Sequence, residues 1–201
     1  KFGVGSTFSF HRTKTITTGE GGMLLLDDDS LYQRCKFLRD HGRAPGAYFN
    51  TEITFKYMPF NVQAALGYAQ FQRIDELVGK KRWIWQGFRD RLSDVPDILL
   101  NPEPEGVTNG VWATALVFGR SHGMTRDKAL VEIPKLGLPA RPFFYPLSSL
   151  PAYPGREAEG RKNNPVAYDT SERGINLPCA LNLTDPDLDA VSKGIHILLG
   201  L

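Results

Sequence analysis

Lys14 is the residue whose surroundings most resemble a reactive centre. It stands in the run Thr7-Phe8-Ser9-Phe10-His11-Arg12-Thr13-Lys14-Thr15-Ile16-Thr17-Thr18-Gly19-Glu20-Gly21-Gly22. A β-prone stretch feeds the lysine, and threonines and a glycine-rich turn follow it. Such flanks hold an amine on rigid backbone, as an enzyme would hold an amine that must meet a carbonyl carbon. A lysine amine has a reference pKa of about 10.4 and is a poor nucleophile at neutral pH until burial or cationic neighbours favour its free form. Ser9, five residues upstream, carries a hydroxyl able to meet a phosphate oxygen. Gly19, Gly21 and Gly22 permit a tight backbone path. As bare residue types, these also fit a solvated turn lysine, a strand serine and a structural histidine at position 11. The Gly3–Thr7 run lacks the lysine of a phosphate-binding loop and is set aside.

The flanking pattern supplies the elements that would hold this loop. Residues 4–10 and 23–26 read as strands, and the continuous apolar run Met23–Leu26 predicts a strand buried on both faces. Asp27–Ser30 offers N-caps for a helix with Leu31, Cys35 and Leu38 on one face, ending at His41-Gly42. After a loop over 43–57, Pro59 fits the first turn of a long helical stretch marked by Val62, Ala65, Leu66, Ala69 and Leu77. Residues 78–92, with Trp83, Trp85 and Phe88, form a second amphipathic stretch. Residues 97–110 read as loop, Val111–Phe118 as strand and Thr125–Leu136 as a helix that stops or kinks at Pro134. A strand or extended segment over 138–145, a long loop over 146–164, and helices over Pro165–Arg173 and Asp185–Leu199 complete the chain. This alternation predicts an α/β fold.

Composition narrows the function classes. The 201 residues are 41% hydrophobic and 23% charged with net charge +2, which gives no argument for nucleic acid or an anionic membrane as partner. No apolar run reaches the roughly 18 residues of a membrane span, and no signal peptide opens the chain. Cys35 and Cys179 have neither disulfide-framework nor metal-site spacing, so no metal is expected and each reads as a small buried apolar residue in a reduced, cytoplasmic setting. Residue 1 is Lys rather than Met and the chain enters almost directly into a strand-like run, which predicts a fragment or a processed chain lacking an N-terminal half.

Five ordered segments carry a family resemblance. Residues 8–22 are similar throughout to the cofactor-lysine segment of the DegT/StrS-type sugar-nucleotide aminotransferases. Leu38–Arg43, Gln63–Gly67, Arg141–Leu147 and Gly174–Pro178 resemble the blocks that follow it, and the last two look most like the branch that makes perosamine, a 4-amino-4,6-dideoxy sugar. The resemblance implies a PLP-dependent aspartate-aminotransferase-type fold (fold type I). Residues 1–77 would be the C-terminal part of the large domain, and residues 78–201 a bridging helix and small α/β domain.

The same resemblance implies pyridoxal 5′-phosphate (PLP) as cofactor, with pyridoxamine 5′-phosphate as intermediate. Nitrogen would pass from glutamate to a nucleotide-linked 4-keto-6-deoxy sugar, in a homodimer with shared active sites. Lys14 falls on the Schiff-base lysine and Ser9 on a phosphate-contacting serine. Lys56 replaces an asparagine that reaches the neighbouring subunit's cofactor phosphate, and could meet that phosphate as a point charge. Arg141 and Tyr145 fall in a segment lining the sugar pocket. Dehydratases among the relatives carry His where this chain has Lys14, so the lysine favours amino transfer. The acid for the pyridine nitrogen and the stacking aromatic precede the lysine segment in this family. Two other readings stay open: an incomplete chain serving as a binding or oligomerisation module, and a PLP enzyme acting on a 3-keto sugar or dehydrating its substrate.

Overall fold

In the computed structural model, which describes residues 3–201, Thr7 faces Leu24 across an antiparallel ribbon of β1 (Gly5–Ser9) and β2 (Gly22–Leu26). The register runs from Gly5 opposite Leu26 to Ser9 opposite Gly22, so the two ends of the Lys14 loop are brought together. The expectation that Met23–Leu26 is buried on both faces fails: Leu24 is 45% and Leu25 50% exposed, and Met23 is also exposed. A period-free apolar run marks a strand with two faces to cover, and among the described residues neither face of this two-stranded ribbon is covered.

Helix α1 (Asp29–Arg39) starts where Asp28 accepts the Leu31 amide at 2.6 Å, and it carries Lys36 and Arg39 in its last turn. It stops at Arg39, before the expected His41-Gly42, and those two residues then turn the chain with φ of 61° and 58°. The following segment folds back on α1 through a two-pronged ion pair, Arg34 to both Glu52 oxygens at 2.7 Å. Helix α2 (Asn61–Phe71) begins beyond Pro59, which therefore lies outside its first turn. The stretch read as one helix through Leu77 breaks at Gln72–Arg73, and Leu77 belongs to α3 (Ile74–Arg91), which also contains the stretch read as a separate helix from residue 78. Val62 and Leu66 of α2 are exposed.

The chain divides into two compact units, Lys1–Asp75 and Glu76–Leu201, within the first turn of α3. The second is built on an antiparallel sheet in the order β3 (Ile98–Leu100), β4 (Ala115–Phe118), β6 (Gly174–Asn176), β5 (Arg141–Pro142). Helices α4 (Arg126–Glu132), α5 (Glu157–Asn163), α6 (Pro165–Arg173) and α7 (Asp185–Leu199) complete it. Its core joins Ile84 and Phe88 of α3 to Leu116, Phe118 and Ile175 of the sheet and Leu188 and Ile195 of α7. Each such side chain contributes about 1.5–3 kcal/mol on burial. Arg91 ties α3 to α7 through Asp189 at 2.6 Å and Asp185 at 2.7 Å.

Several boundaries differ from the sequence reading. Strand β3 lies inside the stretch read as loop, a three-residue edge entered through Asp97 at φ 50°. β4 and β5 are shorter than expected, and α5 and β6 occupy segments read as loop or as helix stop. α4 ends at Glu132, and Pro134 sits in the 3-10 turn that follows. Both cysteines are half-buried rather than buried.

One cation organises the face of the second unit. Arg126 is 7% exposed, with Nη1 donating to Ser171 O and Oγ at 3.1 Å and Nε to Asp127 at 2.8 Å. Its guanidinium carbon lies 4.0 Å from the centroid of the Tyr145 ring. Replacing it with Met removes the charge under the ring and the donors to Ser171, so Arg126→Met is expected to lose about 2 kcal/mol or more of stability. The urea midpoint checks this, and an unchanged midpoint contradicts it.

His196, in the last turn of α7, places Nδ1 2.9 Å from Ser192 O and Nε2 3.0 Å from Asp94. Two acceptors favour the doubly protonated ring, so the Ser192 carbonyl first and Asp94 second raise its pKa above the ordinary histidine value. The native state then holds this proton more tightly than the unfolded chain. The stabilisation is full below about pH 6.5 and lost as pH rises through the raised native value, and for an accessible pair it is about 1 kcal/mol or less. The stability gap between the wild type and His196→Gln should shrink from pH 5.5 to pH 8.5, and a gap that widens with pH contradicts the assignment.

Candidate active site

The loop of residues 10–21 leaves β1 and returns to β2, and its neck is closed by backbone bonds. Phe10 N donates to Gly21 O at 2.8 Å, and Phe10 O accepts Thr18 N at 2.9 Å and Thr17 Oγ1 at 3.1 Å. Within the loop, Lys14 N donates to His11 O at 2.9 Å, and His11 N donates to Ser9 Oγ at 3.3 Å. His11 therefore links the two residues expected to meet the cofactor. Its Nδ1 lies 3.0 Å from Thr13 Oγ1 and its Nε2 3.6 Å from Glu20 Oε1. Gly19 at φ 81° and Gly21 at φ 151° complete the return, and a Cβ on Gly21 would lie 2.5 Å from Thr18 Oγ1. Lys14 is half-buried and Ser9 exposed.

Helix α2 grips the far side of this loop with one face. Gln63 Nε2 donates to Glu20 O at 3.0 Å, and the Gln70 amide exchanges two hydrogen bonds with the backbone of Thr17. Between them Gly67 lets the Thr18 methyl approach, since a Cβ there would lie 2.9 Å from it. Thr18 is the buried polar side chain of this region, its hydroxyl donating to Glu20 O at 2.6 Å. The sequence reading missed Gln70 and took Gln63 and Gly67 only as part of a motif. The signal was the i, i+4, i+7 spacing of polar and small residues on a helix whose apolar residues did not line up opposite them.

The remaining candidates fall on separate elements. Lys56 is exposed, its ammonium 5.8 Å from the Phe60 ring centroid, beside an open cavity of about 400 Å³ shared with Asp40, Met58 and Asn61. Arg141 is exposed on β5 opposite Asn176. Tyr145, 50% exposed, rests on Arg126. With Phe143 and Phe144 it borders a groove of about 620 Å³ whose other wall includes Asn163, Asn164 and Thr170. Trp112 stacks on Phe144 with centroids 6.0 Å apart and planes at 13°. Thus Ser9 ends the strand from which the Lys14 loop departs, Lys56 lies further along the first unit, and Arg141 and Tyr145 belong to the second.

A phosphorylated aldehyde suits the first pair. Lys14 offers an amine on a pinned backbone, and Ser9 Oγ, already accepting from His11 N, keeps its own proton to donate.

GDP-perosamine synthase of Vibrio cholerae is 32% identical over 195 residues, covering 96% of this chain and 52% of its own length. The GDP-perosamine synthase of Caulobacter vibrioides is 32% identical over 196 residues, with coverages of 96% and 52%. Spr1654 from Streptococcus pneumoniae in its PMP form superposes with a TM-score of 0.86 at 22% identity, over 100% of this chain and 54% of that one. The chain spans about half the length of the curated relatives it matches. Its fold is the α/β fold type I of PLP-dependent sugar aminotransferases. The model of the DegT/DnrJ/EryC1/StrS aminotransferase family matches residues 1–196, and the chain belongs to that family, whose cofactor is pyridoxal 5′-phosphate.

Proposed function

We propose that the protein bearing this chain is a PLP-dependent aminotransferase that moves nitrogen from glutamate to a nucleotide-linked 4-keto-6-deoxy sugar, in the manner of perosamine formation. The observation that carries the reading is the Lys14 loop itself, a half-buried lysine on a backbone closed at Phe10 and gripped by α2. The GDP-perosamine synthases among the relatives support the substrate class. When bound, the cofactor supplies an electron-withdrawing ring that eases loss of a proton from carbon bonded to nitrogen.

The chain's own residues do the rest. The Lys14 amine would hold the cofactor at its aldehyde carbon, the carbonyl oxygen leaving as water, and as a free amine would hold and move the proton at the carbon bearing the transferred nitrogen. The Ser9 hydroxyl donates to the phosphate, and Lys56 adds a point charge toward a phosphate. Arg141 and Tyr145 offer a guanidinium fork and an aromatic face to the nucleotide sugar. We assign residues 1–77 to the tail of the large cofactor domain and residues 78–201 to the small domain.

A homodimer with shared sites fits the surface of the first unit, where Tyr48, Phe49, Phe55, Tyr57 and Phe60 are all exposed on one segment. No described helix is long and apolar enough to cross a membrane, and the two free cysteines accord with the cytoplasm. Glutamate leaves as 2-oxoglutarate and the sugar gains the amino group.

Lys14→Ala in the natural-length protein should cut turnover of glutamate with a nucleotide-linked 4-keto-6-deoxyhexose by about 10²–10⁴-fold or more. The assay is mass-spectrometric detection of the amino sugar. Retained turnover, or a dehydrated product without nitrogen from the wild type, contradicts the proposal.

A further inference from the structure

Gln70 lies on α2, outside the loop that carries Lys14, yet it treats Thr17 as a neighbouring strand would. Oε1 accepts from Thr17 N at 3.1 Å, and Nε2 donates to Thr17 O at 2.6 Å. The second Nε2 hydrogen goes to Leu66 O at 2.9 Å, one turn back on the same helix. This third bond fixes the amide's sense. Flipping it would set Nε2 against the Thr17 N–H and Oε1 against two carbonyl oxygens, so only the observed orientation satisfies every group.

Thr17 passes the restraint on. Its hydroxyl donates to Phe10 O at 3.1 Å and accepts from Gly19 N at 3.0 Å, which joins the Gln70 fork to the neck of the loop. Lys14 stands three residues before Thr17, anchored on its other side by its own N–H to His11 O. Between Lys14 and the neck the chain has only Thr15 and Ile16 in which to absorb a displacement. Two backbone groups at one residue are thus served by one side chain. Removing it leaves both without their partner, and the loop recovers hydrogen bonds only by moving or by admitting water.

We propose that Gln70 is a positioning residue for the Lys14 amine, acting through Thr17. The proposal rests on the reading of Lys14 as the cofactor lysine. It is tested on the natural-length protein with two substitutions. Gln70→Met keeps the volume and removes all three hydrogen bonds. Gln70→Glu keeps the acceptor for Thr17 N and sets a carboxylate against Thr17 O.

Three readouts decide it. The first is the acylation rate of Lys14 by acetic anhydride in cofactor-free protein, mapped by mass spectrometry against Lys36 and Lys162 as internal references. The second is the dissociation constant for PLP. The third needs no substitution: amide hydrogen exchange at Thr17 in the wild type. Both variants should change the relative acylation of Lys14 several-fold and weaken PLP binding about tenfold, which is about 1.4 kcal/mol. The reference lysines should stay unchanged, and the wild-type Thr17 amide should exchange more slowly than that of Thr15.

A folded Gln70→Met protein with wild-type Lys14 acylation and wild-type PLP affinity overturns the proposal. A fast-exchanging Thr17 amide in the wild type does so even if neither variant folds. If the wild type itself forms no covalent PLP adduct at Lys14, the cofactor reading falls and takes the proposal with it. If that adduct forms and only the Gln70 readouts are flat, Gln70 alone is wrong.

Discussion

The hydrogen bonds that close residues 10–21 at Phe10 govern the candidate site, because a lysine that repeatedly meets a carbonyl carbon needs a backbone that stays in place. A loop usually satisfies its backbone groups with water and moves accordingly. Here Phe10 serves both Gly21 and Thr18, and α2 supplies side-chain amides at the points the neck does not reach. The approach of α2 depends in turn on Gly67, which leaves room for the Thr18 methyl. Sequence, loop geometry and proposed chemistry are therefore linked through a few short contacts. Proximity and orientation are worth several kcal/mol in such reactions, so a displaced amine is costly even when the fold survives.

The two units differ in what they bury. The second has its own apolar core of α3, α7 and an antiparallel sheet, and it places a buried arginine beneath Tyr145. Burying that charge is tolerable because Ser171 and Asp127 accept from Nη1 and Nε and the tyrosine face accepts its field. The first unit keeps both faces of its ribbon and most large apolar side chains exposed. Within it, the hydrogen bonds at Phe10 and the Arg34–Glu52 pair tie separate segments together.

What was legible in the sequence divides by type of element rather than by unit. Helices bounded by caps, breakers or a clear apolar face were readable: α1 from the cap candidates at Asp27–Ser30, α7 over Asp185–Leu199, and α4 as a helix that stops before Pro134. Lys14 and Ser9 stood out because residue type and glycine spacing are local properties. β3 and β6 were missed because a three-residue strand is held by its neighbours, not by its own pattern. The Met23–Leu26 run reads as doubly buried because periodicity reports which faces are apolar and carries no information on what lies against them. Gln70 was passed over for another reason, because its spacing with Gln63 and Gly67 marks a helix face without saying what that face serves. A polar residue on a helix reads as solvated until the loop it serves, far away in sequence, is brought beside it.

The most direct test of the central claim is borohydride reduction of the natural-length protein loaded with PLP, followed by proteolysis and mass spectrometry. One phosphopyridoxyl-modified peptide is expected, with the label on Lys14. A label on another lysine, or an unmodified Lys14 in a protein that has taken up the cofactor, would contradict it.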